Sequence, residues 1–410
     1  MLDDIFTLSQ TLIRVRKRTY RRSFLRDNAL EGRFMLVGPR GVGKTTVMIQ
    51  HLLDRHDGDM FTRKALYIQA DHFLVQRFSL YEIVDAFQKL GGEFVCIDEI
   101  HKYPSWSLEL KSIIDTFAQV KVLASGSSAL EIHKGSHDLS RRMLMLPLSG
   151  LSFREYLGMV HGLELDRLRL PDLLDTHQSV AERITGMVDE QGHKILALFG
   201  AYLEHGYYPY CLEYPDTAQF LATLTQQVQT TLEADLPAIH PTLNGTSIRK
   251  MRKLLAIISG LVPFTPDMKS LKTMLDIGDE RTLKTYLGYL EDAGILLTIS
   301  KTDKGLRAME KPGKIYLHNP NLYHALAGHA EPDRGSVRET FFLNMLQAEH
   351  GLRLADKGDF LVDETMTFEV GGKGKDGTQI KGVANSWLAL DNIEIGQGNR
   401  IPLWMFGFLA

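Results

Sequence analysis

The chain has 410 residues, 44% of them hydrophobic and 24% charged, which is ordinary for a protein with a full core and leaves room for two to four domains. Its formal net charge of −3 excludes a global attraction to nucleic acid but not a local basic patch. Two cysteines are too few for a disulfide framework or a zinc site, and no apolar run reaches the ~18 residues that cross a bilayer. The N-terminus lacks a signal-peptide pattern, so we expect a cytoplasmic protein without a membrane span.

Residues 1–30 form the first predicted domain, a basic helical segment. The pattern predicts a helix over residues 4–26, and its second half carries Arg14, Arg16, Lys17, Arg18, Arg21, Arg22 and Arg26. Such charge runs are typical of a solvated helix face. The alternative is a patch that binds phosphate or an acidic partner.

Residues 31–149 alternate short apolar runs with helical stretches. The runs are mostly apolar throughout, as in strands that are buried on both faces, and they are RFMLVG, ALYIQAD, FVCIDE, VKVLASGS and RMLMLPL. Strand–helix alternation predicts a parallel sheet, so the second domain is predicted as an α/β core.

The stretch GPRGVGKTT fits the phosphate-binding pattern G-x-x-x-x-G-K-[ST] and lies between a predicted strand and a predicted helix. Its backbone N–H groups would cradle phosphate oxygens at the positive end of the helix. Lys44 would meet the β- and γ-phosphates, and Thr45 would offer its hydroxyl to Mg²⁺. With ATP and Mg²⁺ as cofactors, the predicted binding residues are Gly38, Pro39, Arg40, Gly41, Val42, Gly43, Lys44, Thr45 and Thr46.

Asp98 and Glu99 close the apolar run FVCI. Ligands lie beyond the carboxyl ends of parallel strands, so this pair should meet the glycine loop at one edge of the sheet. Asp98 would join Thr45 in holding Mg²⁺, and Glu99 would polarise the water that attacks the γ-phosphate. After the next strand a hydroxyl, Ser127 ahead of Ser125, would sense the γ-phosphate, and ordinary turn chemistry is the alternative.

The residues from Asp98 to His101 also read D-E-x-H, the signature of one class of nucleic-acid helicases. Those helicases carry two nucleotide-fold lobes, and the sequence after residue 128 has no second phosphate-binding motif. The helicase interpretation is therefore a minor alternative. His101 is expected at the surface or behind the site rather than in catalysis.

The remaining chain divides into three predicted domains. Residues 150–244 are helical from a capping box at Ser152, residues 245–308 have the order of a winged helix, and residues 309–410 return to α/β. DNA binding through the winged helix stays open, because its cations have acidic neighbours. Those cations are Lys272, Arg281 and Lys284.

In this order, the motifs resemble a family of predicted ATPases of bacteria and archaea. The stretches that carry the resemblance are GPRGVGKTT, CIDEIHKYPSW, LASGSSAL, DLSRRMLMLPLSGLSFREYL, LKTYLGYLEDAGIL, KIYLHNPNLYHAL and GSVRETFFLNML. The resemblance implies an α/β fold: a P-loop NTPase core (AAA+/RecA-like), a helical region, a winged helix and a C-terminal restriction-nuclease-like domain. It also implies that Arg142, ahead of Arg141, reaches a γ-phosphate in cis or from a neighbouring subunit of a homo-oligomer. The alternative for this arginine is a surface ion pair.

Restriction-type nucleases hold Mg²⁺ with an Asp and with the Glu of an E-x-K motif, whose lysine assists the attacking water. The matching acids are Asp359 and Glu369, but Gly371 occupies the lysine position and Lys373 lies two places late. The consecutive glycines also indicate that the strand ends or bulges there. We therefore expect a domain with the shape of a nuclease that does not cut DNA.

The leading prediction is a Mg²⁺-dependent ATPase that couples nucleotide state to an unidentified protein client. The alternatives are an ATP-driven DNA-processing protein and a signalling or defence switch with slow turnover. The predicted catalytic residues are Lys44, Glu99, Ser127 and Arg142, and the predicted metal ligands are Thr45 and Asp98. The apolar end, IPLWMFGFLA, is predicted as a core strand.

Overall fold

The computed structural model describes residues 1–28, 30–126, 139, 141–240, 242–260, 267–301, 313–328 and 331–410. The chain divides into two compact units, Met1–Gly150 and Leu151–Ala410. The domain boundaries predicted near residues 30, 244 and 308 fall inside these units and stay predictions.

The first unit is built around a parallel sheet, as predicted. Its strands are β1 (Phe34–Val37), β2 (Ala65–Gln69), β3 (Phe94–Asp98), β4 (Lys121–Gly126) and β5 (Leu144–Pro147). Its helices are α1 (Leu2–Arg16), α2 (Phe24–Asp27), α3 (Lys44–Asp54), α4 (Leu80–Lys89) and α5 (Trp106–Thr116), with 3₁₀ turns at Val75–Arg77 and Ile100–Lys102. The strand order is β2-β3-β4-β1-β5, and every pair is parallel. All five apolar runs of the sequence form these strands, and β3 is buried at every position.

Helix α1 is shorter than the sequence predicted, because the chain becomes extended at Lys17 (φ −59°, ψ 133°). Its buried residues Ile5, Phe6 and Ile13 face the core of the unit. The buried Ser9 accepts a hydrogen bond at 3.0 Å from the backbone N–H of Tyr67 on β2. Since β2 is an edge strand, Ser9 provides a partner for a backbone donor that no neighbouring strand can satisfy.

The second unit begins with helices. They are α6 (Phe153–His161), α7 (Leu170–Glu190), α8 (Ile195–Ala201), α9 (Thr217–Thr230), α10 (Leu236–Ile239), α11 (Gly245–Gly260), α12 (Met268–Met274), α13 (Glu280–Asp292), α14 (Pro320–Leu326) and α15 (Arg334–Leu346). Shorter helical turns occupy Tyr202–Gly206, Pro209–Glu213, Thr231–Asp235, Thr378–Ile380 and Leu403–Phe408. The capping box predicted at Ser152 is present. The Ser152 side chain accepts a hydrogen bond from the N–H of Glu155, and the Glu155 side chain accepts one from the N–H of Ser152.

The second unit also holds two sheets. The strands are β6 (Leu296–Ile299), β7 (Lys314–Leu317), β8 (Leu352–Leu354), β9 (Phe360–Val362), β10 (Met366–Gly372), β11 (Ser386–Asp391) and β12 (Arg400–Pro402). Strands β6 and β7 form an antiparallel pair. The other sheet has the order β12-β11-β10-β9-β8, antiparallel from β8 to β10 and parallel from β10 to β12.

Two expectations for this unit need correction. Strand β10 continues through both glycines, because Gly371 and Gly372 pair in register with Leu390 and Asp391 of β11. The end of the chain is mostly a buried 3₁₀ turn, Leu403–Phe408, after the three-residue strand β12. Among the described residues, no helix has the length and apolar character that crossing a membrane requires.

Candidate nucleotide-binding site

The glycine loop joins β1 to α3, where the sequence predicted it. Gly43 adopts a left-handed conformation (φ 97°) directly before Lys44, the first residue of α3. A Cβ on Gly38 would lie 2.2 Å from the carbonyl oxygen of Leu148, so no other residue fits at that position. The buried Arg22 donates to the carbonyl oxygens of Val42 (3.0 Å) and Gly150 (2.8 Å) and thereby ties the loop to the preceding segment.

Lys44 lies inside the loop. Its side chain is buried, and its ammonium group donates to the carbonyl oxygens of Gly38 and Pro39, both at 2.8 Å. Burial lowers the pKa of Lys44 to about 8, and the charges of Glu99 and Asp98 oppose that shift. A positive charge is thus held where the loop N–H groups can also meet an anion.

Asp98 is the centre of the site. It is fully buried at the end of β3, and its Oδ2 accepts hydrogen bonds from the hydroxyls of Thr45 (2.7 Å) and Tyr67 (2.6 Å). Its Oδ1 accepts from the Ser125 hydroxyl and from the N–H of Glu99, the latter at 3.1 Å. The structure therefore brings together Thr45 and Asp98, which the sequence predicted as metal ligands. Ser127, the preferred sensor, lies outside the described residues, whereas Ser125 touches Asp98 directly.

Glu99 follows in a left-handed backbone conformation (φ 53°) that turns the chain away from the strand. Its carboxylate lies 3.1 Å from the ammonium of Lys102 and 4.0 Å from Nε2 of His101. Burial would raise the pKa of Glu99, but the cations Lys102 and Lys44 beside it outweigh burial and lower that pKa. Burial lowers the pKa of His101 to about 4, so this imidazole is neutral at pH 7. Glu99 is a carboxylate there, as water polarisation requires.

A cleft of about 380 Å³ opens above these groups. Its walls include loop residues that the sequence predicted, namely Arg40, Gly41, Thr45 and Thr46, beside Asp98 and Glu99. They also include Arg16 and Arg18, which the sequence placed in a basic segment, and three residues that it did not single out, namely Gln69, Asp71 and Lys102. Gln69 and Asp71 could have been found, because they close the run ALYIQAD and the carboxyl ends of parallel strands share one edge. Arg16 belongs to the basic run that the sequence offered as a possible phosphate-binding patch, but its position in this cleft depends on the fold.

Arg142 lies away from this cleft. It comes just before β5, whose first residue, Leu144, pairs with Phe34 at the start of β1, whereas the glycine loop follows the end of β1. Its guanidinium forms an ion pair with Asp115, with Nε 2.7 Å from Oδ1. The geometry therefore does not bring Arg142 to the loop of its own chain, and a role across a subunit interface stays a prediction.

A second cluster of charged groups lies in the C-terminal sheet. Glu369 on β10 is buried, and its Oε1 lies 3.2 Å from the ammonium of Lys375. Asp359 precedes β9, and its Oδ2 accepts a hydrogen bond at 2.8 Å from the N–H of Val370. The side chain of Lys375 covers Gly371, since its Cδ lies 2.8 Å from where a Cβ of residue 371 would be. Lys373, which the sequence singled out, is exposed.

Two of the cations in the segment predicted as a winged helix have local side-chain contacts. Helices α11 to α13 are followed by β6, which pairs with β7 in the range predicted as the C-terminal domain. Lys284 pairs with Glu280 at 2.9 Å, and Lys272 contacts the carbonyl oxygen of Gly278 at 3.5 Å. Asp279 accepts from the N–H of Arg281 and caps α13. This surface therefore gives no support for phosphate binding beyond the sequence pattern.

Comparison with known families decides the class of the first unit. Residues 32–157 match the family model described as an AAA domain. Residues 32–157 are therefore an AAA-type domain with a P-loop NTPase fold, and helix α1 lies outside the matched residues. Residues 196–333 match a model described as a domain of unknown function (DUF8612), which covers α8 to the segment before α15 but not the C-terminal sheet.

Individual proteins resemble the chain more distantly. An uncharacterised protein of Methanocaldococcus jannaschii is 25% identical over 299 residues, which is 70% of this chain and 61% of that protein. A Walker-type ATPase of Pyrococcus abyssi has 12% identity over 75% of this chain and 96% of its own, with a TM-score of 0.42. AMPPCP-bound DnaA of Aquifex aeolicus has 13% identity over 66% and 86%, with a TM-score of 0.25. These TM-scores are low, so the two solved structures carry no further conclusion about this chain.

Proposed function

We propose that the AAA domain binds ATP and hydrolyses it with Mg²⁺. The observation that carries the proposal is the contact between the Thr45 hydroxyl and Asp98 Oδ2 at 2.7 Å, which joins the glycine loop to the end of β3. Hydroxyl and carboxylate oxygens are the hard donors that Mg²⁺ takes, usually one or two from protein beside phosphate and water.

The residues divide the work of hydrolysis. The loop N–H groups and Lys44 hold the phosphates and offset the charge that develops on the departing ADP. Thr45 and Asp98 would hold Mg²⁺, which when bound compensates the phosphate charge. Glu99 orients a water molecule and takes its proton as the oxygen attacks the γ-phosphorus, giving ADP and inorganic phosphate. Lys102 holds the Glu99 carboxylate in place at 3.1 Å.

Nucleotide binding tests the proposal first. Lys44→Ala should lose most ATP affinity, because it removes the buried positive charge inside the loop. Lys64→Ala is the matched control, because Lys64 is exposed and pairs with Glu93 at 2.9 Å, next to the opposite ends of β2 and β3. Equal ATP affinity of the parent, Lys44→Ala and the control, measured by calorimetry on folded proteins, would exclude the loop as the nucleotide site.

We further propose that the nucleotide state is coupled to a protein client in the cytoplasm. The two cysteines, Cys96 and Cys211, are buried free thiols, in keeping with a reducing compartment. A Glu99→Gln variant should accumulate the ATP-bound state and retain the client, and Lys44→Ala should release it. Pull-downs with both variants, with and without ATP, measure this difference. An identical set of captured proteins would argue against nucleotide-dependent coupling.

A second candidate function is Mg²⁺-dependent cleavage of DNA by the C-terminal sheet, and Lys375 favours it. The expectation of inactivity depended on the glycine at position 371, but Lys375 covers that glycine and reaches Glu369. The buried Oε2 of Glu369 has no hydrogen-bond partner among the described residues, which leaves it available to a cation. Asp359 and Glu369 would hold the metal, and Lys375 would assist the attacking water.

A cleavage assay separates the two candidates. If the domain cuts DNA, Lys375→Ala should lower the rate by a factor of about 10²–10⁴. The exposed Lys373→Ala is the control and should cut like the parent. Absence of cutting by the parent with Mg²⁺ or Mn²⁺ would remove this candidate and leave the ATPase proposal untouched.

A further inference from the structure

The last residue of helix α1 reaches the nucleotide site through a chain of hydrogen bonds. Arg16 donates from Nη1 to the hydroxyl oxygen of Tyr67 (2.9 Å) and from Nη2 to Oε1 of Gln69 (2.8 Å). The Tyr67 hydroxyl in turn donates to Oδ2 of Asp98 at 2.6 Å. Arg16 Nη1 also lies 3.8 Å from the same carboxylate oxygen. A guanidinium from outside the sheet is thus joined to the central carboxylate by a single hydroxyl.

The geometry of this chain is specific. Tyr67 has one hydroxyl proton, which goes to Asp98, so its oxygen is free to accept from Arg16. The two terminal nitrogens of the planar Arg16 guanidinium donate to two residues of β2, Tyr67 and Gln69. These two bonds fix the orientation of both the guanidinium and the tyrosine hydroxyl. Because Tyr67 and Thr45 donate to the same oxygen of Asp98, the orientation of that oxygen depends on the tyrosine.

We propose that Arg16 is a positioning residue of the ATPase site: through the Tyr67 hydroxyl it holds the Asp98 carboxylate in the orientation that binds Mg²⁺. The inference rests on the proposed function of this site and deepens it. It makes the end of helix α1, which the sequence suggested as a solvated face or as a patch for phosphate or an acidic partner, a part of the nucleotide site. It also explains why a basic side chain lines the cleft next to three acids, Asp71, Asp98 and Glu99.

Binding titrations test the inference without relying on turnover. In a Glu99→Gln background, a fluorescent ADP or ATP analogue is titrated at a series of Mg²⁺ concentrations and again in EDTA. Arg16→Gln should raise the Mg²⁺ concentration for half-maximal enhancement of binding by about tenfold, the scale of one lost hydrogen bond to a charged group. Nucleotide affinity in EDTA should match that of the parent.

The variants are chosen so that a merely structural role is excluded. Arg14→Gln is the matched control, because it removes the same charge from an exposed position of the same helix and should leave the Mg²⁺ dependence unchanged. Tyr67→Phe keeps the buried ring, loses only the hydroxyl and should reproduce the shift. The double variant Arg16→Gln/Tyr67→Phe should be no worse than either single variant, since both interrupt one chain. Arg16→Lys should require a Mg²⁺ concentration between those of the parent and of Arg16→Gln, because one ammonium group cannot donate to Tyr67 and Gln69 as the guanidinium does.

Several outcomes would overturn the inference. They are an unchanged Mg²⁺ dependence in folded Arg16→Gln, or an equal loss of affinity with Mg²⁺ and in EDTA. If Arg16→Gln does not fold, an unshifted Mg²⁺ curve for Tyr67→Phe has the same meaning. Failure of the proposed function looks different, because Lys44→Ala would then retain nucleotide in every condition.

Discussion

At the residue scale, one buried carboxylate accepts hydrogen bonds from three side chains and one backbone N–H of the AAA domain. Asp98 accepts from Thr45 at the start of α3, from Tyr67 on β2, from Ser125 on β4 and from the N–H of Glu99. Each donor satisfies one lone pair of a group that is costly to bury. Replacing Asp98 would therefore disturb both the proposed metal site and the core, whereas we expect a change of Glu99 beside it to have a small structural cost.

Glu99→Gln should keep ATP affinity and lose turnover by a factor of about 10²–10⁴, because an amide cannot take a proton from water. Steady-state phosphate release and calorimetric binding measure the two quantities separately. Glu93→Gln is the control, because Glu93 is an exposed glutamate just before β3, at the opposite end of the same strand from Glu99. Turnover of Glu99→Gln at the parental rate would mean that another group activates the water.

His101→Ala tests the helicase interpretation at the same site. Its imidazole is neutral at pH 7 and lies 4.0 Å from Glu99, beyond hydrogen-bond distance, so turnover should stay close to that of the parent. A loss as large as that of Glu99→Gln would give the histidine a catalytic role.

Stability should fall at acid pH, and His318 is one cause. Burial lowers the pKa of His318 to about 4 from an ordinary value near 6.5. A group with a lowered pKa in the folded state stabilises fully above pH 6.5, and that stabilisation is lost as the pH falls through 4. At 1.36 kcal/mol per unit, the loss is on the order of 2 kcal/mol after allowance for partial exposure. Denaturant unfolding at pH 7.5, 6 and 4.5 measures it.

His318→Gln should reduce this pH dependence, because glutamine does not titrate. The substitution should not abolish the pH dependence of stability, since burial also lowers the pKa values of His51 and His101 to about 4. A variant whose stability falls with pH as steeply as that of the parent would show that His318 does not contribute.

At the element scale, helix α1 completes the sheet that holds the site. Its Ser9 accepts a hydrogen bond from the backbone N–H of Tyr67 on the edge strand β2, and its last residue, Arg16, donates to the hydroxyl of the same tyrosine. Both ends of Tyr67 are therefore held by one helix. Loss of α1 would expose an apolar face and leave an edge strand unprotected.

Ser9→Ala should lower stability by about 1–3 kcal/mol, because it leaves the buried N–H of Tyr67 without a partner. At ~2–4 °C per kcal/mol for a unit of this size, the melting temperature should fall by several degrees. Thr7→Ala on the same helix is the control and should stay within about 0.5 kcal/mol, since Thr7 is exposed and its hydroxyl donates to the carbonyl oxygen of Asp3 in its own helix. Equal melting temperatures for both variants would contradict the role of Ser9.

At the scale of the whole molecule, the two compact units should respond differently to nucleotide. Mg²⁺–ATP at about 100 times its dissociation constant should stabilise the AAA domain by roughly 2.7 kcal/mol, because ligand binds only the folded form. Hydrogen exchange in Glu99→Gln should show new protection within residues 34–46 and 94–102, which carry the site. Protection confined to residues 151–410 would place the nucleotide elsewhere.

The sequence by itself determined the strands of the AAA domain, the glycine loop and the acidic pair. These signals are local, because the apolar run, the glycines and the acids stand within a few positions of each other. Helix bounds were less accurate, since the chain leaves α1 at Lys17 and lets Arg22 reach the glycine loop.

Only the tertiary structure decided which distant side chains complete each site. Arg16 donates to Tyr67, which is 51 positions away in sequence, and Arg142 forms an ion pair with Asp115 instead of contacting the glycine loop. Lys375 covers Gly371 although the sequence pointed to Lys373, because the crossover after β10 folds back over that strand. Such contacts depend on how helices and strands pack in three dimensions, and the spacing of residues along a chain does not specify the direction of a long side chain.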